Sequence, residues 1–167
     1  MRSKLFLLLA IFVIHSSIAQ VTIKTKEIGN LVFKELDYGI ARIKQGVKDS
    51  LQSSPTGLHG WLDDFEIVKT SDSIEMKPNA NFGVIYIVEA KDTLNIPVTI
   101  EWIYPKSIEN DEGEKFESIK YTTSRPTNIP SASSYGLEEP YEMVKGKWHI
   151  NIYIAKILVC SKDFFLW

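Results

Sequence analysis

Residues 141–165 read YEMVKGKWHINIYIAKILVCSKDFF, and the rest of the chain must pack against this stretch. From Gly146 onward polar and apolar residues alternate, and one parity is formed by Trp148, Ile150, Ile152 and Ile154. An alternation of period two is typical of a strand with one buried and one solvated face. A second apolar run, ILVC at 157–160, follows within three residues, so the pattern predicts a C-terminal hairpin.

The turn of this hairpin lacks the residues that tight turns prefer. Two-residue hairpin turns favour Gly or Asn, because their central residues adopt positive φ. Ala155 and Lys156 occupy this position. The sequence therefore either predicts a longer loop here or leaves the register of the hairpin uncertain.

Upstream of the hairpin, several short segments have the alternation or apolar content of strands. Clusters of Gly, Pro, Ser and Asp separate them, and the chain beyond the N-terminal apolar run has no long segment of helical period. Seven or eight such strands predict an all-β fold, an immunoglobulin-like antiparallel sandwich. The strand candidates are 21–28, 31–43, 63–70, 82–90, 96–105 and 116–123.

The same patterns place the core and the loops. Residues 82–90 are apolar on both parities, which predicts a central strand covered on both faces. Trp102 and Trp148 fall mid-strand at the buried parity and are expected in the central core. The polar segment 44–60 is expected to be an exposed loop, and 124–140 a run of turns.

The N-terminus has the features of a cleavable signal peptide. Arg2 and Lys4 precede the apolar run LFLLLAIFVI at 5–14, which is shorter than the ~20 residues of a membrane span. Small residues lead up to Ala19, so we expect residues 1–19 to be removed and 20–167 to form one domain. The sequence thus predicts a periplasmic or secreted protein without a transmembrane segment after signal removal.

Charge and cysteine content narrow the functional classes. Removal of the two positive charges in residues 1–19 takes the formal net charge from −2 to −4, which argues against nucleic acid as a partner. Cys160 is the only cysteine, so the fold contains no intramolecular disulfide. A single cysteine in a strand is expected to be a small buried apolar residue.

Three stretches resemble a family of exported bacterial domains of unknown function. These stretches are ELDYGIARI (35–43), FEIVKTSDSI with FGVIYIVEA (65–90) and GLEEPYEMVKGKWHINIY (136–153). The resemblance implies a single immunoglobulin-like sandwich in the bacterial cell envelope. It implies no catalytic residue and no cofactor.

Few residues carry candidate chemistry. His59 has Asp63 and Asp64 nearby, and a small secreted hydrolase or metal-dependent enzyme built on them is the alternative to a non-enzymatic domain. One His and two adjacent Asp residues fall short of the ligand set of a zinc site. His149 lies on the solvated parity of its strand and is expected to be a surface residue.

Other candidates are weaker. The acidic tract 109–117 lacks the spacing of a calcium-binding loop, and Glu138 and Glu139 are sequence neighbours rather than a carboxylate pair across a cleft. The segment SASSYG at 131–136 has no nucleophile-elbow pattern. We therefore predict no catalytic residue and no metal site.

A binding role remains. The segment 106–140 and its border contain Tyr121, Arg125, Tyr135 and Tyr141, and aromatic residues and Arg are the types that interfaces favour. We predict that these four residues form a binding surface for an envelope protein or a glycan. The alternative is that the aromatic side chains simply cover the sandwich.

Overall fold

The computed structural model describes residues 24–167, apart from the side chains of Gln45 and Leu62. The predicted signal peptide, residues 1–19, lies outside the described residues. A 3-10 turn at Pro140–Glu142 is the only helical element in the part of the chain that is described. The strands are β1 (Thr25–Ile28), β2 (Leu31–Ser50), β3 (Leu58–Thr70), β4 (Ser73–Ile74), β5 (Asn81–Glu89), β6 (Asn95–Glu109), β7 (Lys115–Pro126), β8 (Ser131–Gly136), β9 (Gly146–Ile154) and β10 (Ile157–Leu166).

The strands form two five-stranded sheets that pack face to face. The first sheet has the order β1-β2-β5-β8, and β3 pairs with the second half of β2. The second sheet has the order β4-β10-β9-β6-β7. All pairings are antiparallel except the short contact of β4 with β10. The predicted all-β sandwich is confirmed: the eight strand candidates correspond to β1, β2, β3, β5, β6, β7, β9 and β10, whereas β4 and β8 were not predicted.

A cluster of aromatic rings joins the two sheets. Phe82 of the first sheet lies 5.5 Å from Trp102, 5.9 Å from Trp148 and 5.2 Å from Phe164, measured between ring centroids. All four side chains are fully buried, so the predicted position of both indoles is confirmed. Such edge-on and tilted ring contacts add to the free energy gained from burying apolar area.

Strand β5 is central, because it pairs with β2 on one side and β8 on the other. Its inward residues, such as Val84 and Tyr86, are wholly buried, whereas Ile85 and Ile87 on the outer face are half-buried. The expectation of a strand covered on both faces is therefore only partly met.

Residues 44–60 are not the predicted loop. β2 continues to Ser50 and β3 begins at Leu58, so most of this segment is strand. β2 pairs with β5 only as far as Ala41, and beyond it β2 and β3 continue alone as a two-stranded hairpin arm, residues 42–66. Because the arm leaves the core, its strands lack the apolar alternation that identifies a strand in sequence.

The hairpin arm bends over one edge of the sandwich. Three register shifts interrupt the β2–β3 pairing, and bulges of this kind bend and twist a strand pair. At the tip, the carbonyl oxygen of Pro55 accepts hydrogen bonds from Asn110 Nδ2 (3.3 Å) and Tyr141 Oη (3.4 Å). Lys48 Nζ lies 2.6 Å from Glu138 Oε2. These contacts hold the arm against the β6–β7 and β8–β9 connections.

Residues 124–140, predicted as turns, contain strand β8. Its six residues, SASSYG, have little apolar content, and strand structure here depends on pairing with β5. The pairing sets Tyr135 opposite Phe82 and turns Ser133 and Tyr135 inward. Propensity alone does not reveal such a strand, because tertiary pairing overrides it.

The C-terminal hairpin is present as predicted, but its turn is tight. Ile154 pairs with Ile157, which leaves Ala155 and Lys156 as the two turn residues, with φ of 49° and 67°. Both residues therefore adopt the left-handed conformation that a side chain disfavours. The longer loop is wrong, because the pairing of β9 with β10 imposes a two-residue turn on unsuited residues. The register, which the sequence left uncertain, shifts between Leu158 and Cys160.

Replacing Ala155-Lys156 by Asn-Gly should raise the free energy of unfolding by about 1 kcal/mol, because left-handed strain is removed from both positions. Urea unfolding of the two proteins measures the difference. Glu112→Gly is the matched control: Glu112 is an exposed turn residue outside the positive-φ set, so glycine there should lower stability. If the Asn-Gly variant is no more stable than the native protein, Ala155 and Lys156 are not strained.

Candidate functional site

The inward faces of the edge strands β7 and β8 are unusually polar. The inward parity of β7 changes from apolar to polar along the strand, and two of the three inward residues of β8 are serines. A sandwich normally fills these positions with apolar side chains. The inward residues are Ile119, Tyr121, Thr123 and Arg125 of β7 and Ser131, Ser133 and Tyr135 of β8.

The hairpin arm covers this polar edge. The ring of His59 lies 4.4 Å from the ring of Tyr121, and the guanidinium of Arg125 lies 5.8 Å from the ring of Trp61. Trp61 Nε1 donates a hydrogen bond to Asp49 on the neighbouring strand of the arm. Aromatic and cation–π contacts thus position the arm over β7.

Two cavities lie beneath and beside the arm, and His59, Tyr121 and Ser134 line both. The inner cavity has a volume of about 100 Å³ and reaches Trp102 and Glu142. The lateral cleft has a volume of about 420 Å³, within the usual range of small-ligand sites, and is lined by residues of the arm, β7 and β8.

Several buried polar atoms at this edge have no hydrogen-bond partner among the described residues. Buried polar groups nearly always have one, so an unpartnered atom beside a cavity is placed to contact water or a ligand. Ser133 lines the lateral cleft and is only 2 % exposed. The unpartnered atoms are His59 Nε2, Tyr86 Oη, Trp102 Nε1, Thr123 Oγ1, Arg125 Nε and Ser133 Oγ.

Arg125 and His59 dominate the electrostatics of the site. Burial lowers the pKa of His59, and the positive charge of Arg125 lowers it further, while Asp49 opposes both effects. Burial raises the pKa of the Tyr86 hydroxyl, which Arg125 and Ser133 oppose through their proximity. Neither of them forms a hydrogen bond of ordinary geometry with Tyr86 Oη, because that atom is unpartnered.

A buried carboxylate lies behind the inner cavity. Glu142 accepts hydrogen bonds from Tyr135 Oη (2.8 Å) and from the backbone N–H groups of Glu138 (2.9 Å) and Glu139 (3.0 Å). Burial raises the pKa of Glu142, although these three donors oppose the rise. Glu142 is therefore fully engaged in holding the 3-10 turn and Tyr135, which makes it a structural group.

Three of the four predicted binding residues come together here. Tyr121 lines both cavities, Arg125 the lateral cleft and Tyr135 the inner cavity. Tyr141 does not join them: it lies on the other side of the arm tip, in a depression with Asn110. Binding by these residues stays a prediction. Sequence analysis did not assign Ser133 or Trp61 to the site, because their role depends on strand pairing and the bend of the arm.

His59, Asp63 and Asp64 all line the lateral cleft, as the enzymatic alternative requires. Their contacts differ from those of a catalytic set, however. Asp63 Oδ2 lies 3.8 Å from Lys44 Nζ, and Asp64 Oδ1 accepts a hydrogen bond from the backbone of Phe65. Residues 24–167 contain no group of three His, Cys, Asp or Glu side chains arranged to hold a metal ion.

A Ser–His–Asp arrangement, which sequence analysis missed, lies on the outer face of the second sheet. Ser161 Oγ is 3.0 Å from His149 Nε2, and His149 Nδ1 hydrogen-bonds to Asp163. The three residues occupy the paired strands β9 and β10, and His149 pairs directly with Asp163. His149 is half-buried, rather than the fully solvated residue that its strand parity predicts. Only the β9–β10 register reveals this grouping.

The hydrogen-bond directions in this arrangement do not suit catalysis. Asn151 Nδ2 donates to Glu101, so Asn151 Oδ1, which lies 2.9 Å from His149 Nε2, must accept. The hydrogen bond from His149 also lowers the pKa of Asp163. His149 Nε2 therefore lies between an acceptor, Asn151 Oδ1, and the Ser161 hydroxyl, whereas the corresponding nitrogen of a catalytic triad faces the serine hydroxyl alone.

Cys160 and its neighbours form a separate buried polar group between the sheets. Lys162 Nζ lies 2.6 Å from Glu35 Oε1, and the Cys160 thiol donates to Glu35 Oε2 at 3.4 Å. Burial raises the pKa of Cys160 to about 12, with Glu35 adding to the rise. The cysteine is therefore the buried, unreactive residue expected from sequence.

The sequence profile of a domain of unknown function, DUF3859, matches residues 30–165. An immunoglobulin-like protein from Pseudomonas aeruginosa has a similar structure, with a TM-score of 0.59 and 18% identity over 89% of this chain and 99% of that one. This similarity shows that the fold is immunoglobulin-like. No curated protein matches the sequence.

A second structural match carries no argument. A Pseudomonas fluorescens alkylpurine DNA glycosylase, AlkC, bound to DNA containing an abasic site analog, aligns with a TM-score of only 0.38 and 12% identity. The alignment covers 58% of this chain and 28% of that one. Separately, residues 24–167 include no helix that is both long and apolar enough to cross a membrane.

Acidification should destabilise the native protein partly through His59. Its pKa is lowered by folding, so the unfolded state binds more protons as the pH falls through and below 6.5, the ordinary value. The stability contributed by neutral His59 is complete above that pH and is lost below it. Between pH 7.5 and pH 5.5, the urea midpoint of unfolding should therefore fall further in the native protein than in His59→Gln. Parallel losses in both proteins would contradict this linkage.

Ser161 should not react with a fluorophosphonate probe, because Asn151 Oδ1 competes with the serine hydroxyl for His149 Nε2 and none of the three cavities adjoins Ser161. Mass spectrometry of the treated native protein should find Ser161 unmodified, as in Ser161→Ala, while a serine hydrolase in the same tube is labelled. Stoichiometric labelling of Ser161 would show that the outer-face arrangement is catalytic.

Proposed function

The chain belongs to the DUF3859 family, and we propose that it is an exported, non-enzymatic binding or accessory module of the bacterial cell envelope. Its ligand site is the lateral cleft between the hairpin arm and the edge strands β7 and β8. The partner is an envelope protein or an envelope glycan. Export rests on the signal-like composition of residues 1–19.

One observation carries the proposal. Ser133 and Arg125 line the cleft with buried polar atoms that have no partner in the described part of the chain. A buried hydroxyl or guanidinium N–H without a hydrogen-bond partner lowers stability relative to an apolar group of similar size. A protein whose edge only needed to be closed would carry apolar residues there, so these groups suit ligand binding.

The immunoglobulin-like fold supports the same function only in general terms, because one fold serves many functions. The cleft adds the specific element. It joins a rigid wall, formed by β7 and β8 on the aromatic core, to the hairpin arm, which packs on that wall through His59 and Trp61. Binding sites commonly combine a rigid scaffold with such a protruding segment.

Blocking the cleft should abolish ligand retention. Ser134 lines both cavities and is half-buried, so Ser134→Trp would fill the space between arm and wall. Ser124→Trp is the matched control, because Ser124 is exposed on β7 and lines neither cavity. Proteins produced from the full chain in a Gram-negative host would be recovered from the periplasm and examined by native mass spectrometry and cross-linking.

The native protein and Ser124→Trp should retain the same bound species, and Ser134→Trp should lose it while keeping its urea midpoint. Equal retention by all three proteins would place binding elsewhere. The recovered protein should begin at Gln20. Absence of the protein from the periplasm, or a recovered protein that still begins at Met1, would overturn the export part of the proposal.

A further inference from the structure

Arg125 is a half-buried cation without a counter-ion. No ion pair in residues 24–167 includes it, and its Nε is buried without a hydrogen-bond partner. The Trp61 ring lies 5.8 Å from its guanidinium and restricts it. A guanidinium N–H can only donate, so the group that satisfies it must accept hydrogen bonds, and an acceptor with negative charge makes the strongest such bond and balances the cation.

Strand β8 presents a free backbone edge to the same cleft. Among the described residues β8 pairs only with β5, and no other backbone hydrogen bond reaches residues 131–136. Ser131, Ala132, Ser133 and Ser134 all line the cleft. Their small side chains leave room for another backbone to approach, which is the condition for adding a strand to a sheet edge.

The charges around Arg125 select the kind of anion. Asp63 and Asp64 line the same cleft, and Asp64 is exposed. These carboxylates repel a doubly charged phosphate more strongly than a singly charged carboxylate. A planar carboxylate also fits the fork of donors on a guanidinium.

On the basis of the proposed binding function, we infer that the lateral cleft binds the carboxyl-terminal residues of an extended peptide. The terminal carboxylate lies against Arg125, and the preceding residues pair with the free edge of β8. Arg125 and Ser131 lie at the two ends of the short connection 127–130, so the carboxylate is at the Ser131 end and the peptide runs antiparallel to β8. The edge from Ser131 to Ser134 spans about 10 Å, which matches three or four peptide residues.

The test uses two pools of N-acetylated random tetrapeptides that differ only at the C-terminus, one with a free carboxylate and one amidated. Each pool is equilibrated with the purified mature protein, and bound peptides are identified by mass spectrometry after ultrafiltration. The free-acid pool should contain peptides enriched about tenfold or more over their amidated counterparts. Arg125→Gln should reduce that enrichment by a similar factor, and Arg125→Lys should reduce it less.

A ligand-side variant keeps the test independent of protein folding. The best free-acid peptide, N-methylated at its central amides, should lose binding, because its backbone no longer donates to β8. Equal enrichment of both pools, no enrichment in either, or undiminished binding of the N-methylated peptide would each overturn the inference. Binding of a chitin oligosaccharide in place of peptides would overturn it too, but would leave the proposed function standing. The placement of the ligand site in the lateral cleft fails separately, if Ser134→Trp retains its ligand.

Discussion

The polar inward faces of β7 and β8 are the constraint on which the rest of this edge depends. Thr123, Arg125 and Ser133 stand where a sandwich needs apolar side chains, so apolar packing alone cannot close the two sheets at this edge. The bent hairpin arm closes it instead, with aromatic rings against Tyr121 and Arg125. The arm leaves cavities beside the polar groups because it spans the gap without filling it.

Contacts between the two sheets away from the cleft hold the remainder of the sandwich together. Phe82 packs against both buried indoles, and the ion pair of Glu35 with Lys162 connects the sheets elsewhere in the sandwich. Losing one member of a buried ion pair leaves an uncompensated charge, so such a pair strongly disfavours other packings.

Hydrogen-bond direction matters as much as distance when a site is assigned. Ser161, His149 and Asp163 have the spacing of a catalytic triad, yet the acceptor Asn151 Oδ1 shares His149 Nε2 with the serine hydroxyl. His59, Asp63 and Asp64 share a cleft without contacting one another through the hydrogen bonds that acid–base catalysis needs. Neither group therefore has the hydrogen-bond geometry of the catalytic set that its residue types resemble.

The sequence by itself determined the all-β class, the C-terminal hairpin and the burial of Trp102 and Trp148, because period-two alternation records which face of a strand is apolar. Residue type alone also identified Tyr121, Arg125 and Tyr135 as candidate binding residues. Only the tertiary structure decided that residues 44–60 are strand, that β8 exists and that His59 lies on Tyr121. Those features arise from pairing and bending between distant segments, and polar strands held by such contacts leave no periodic signal in the chain.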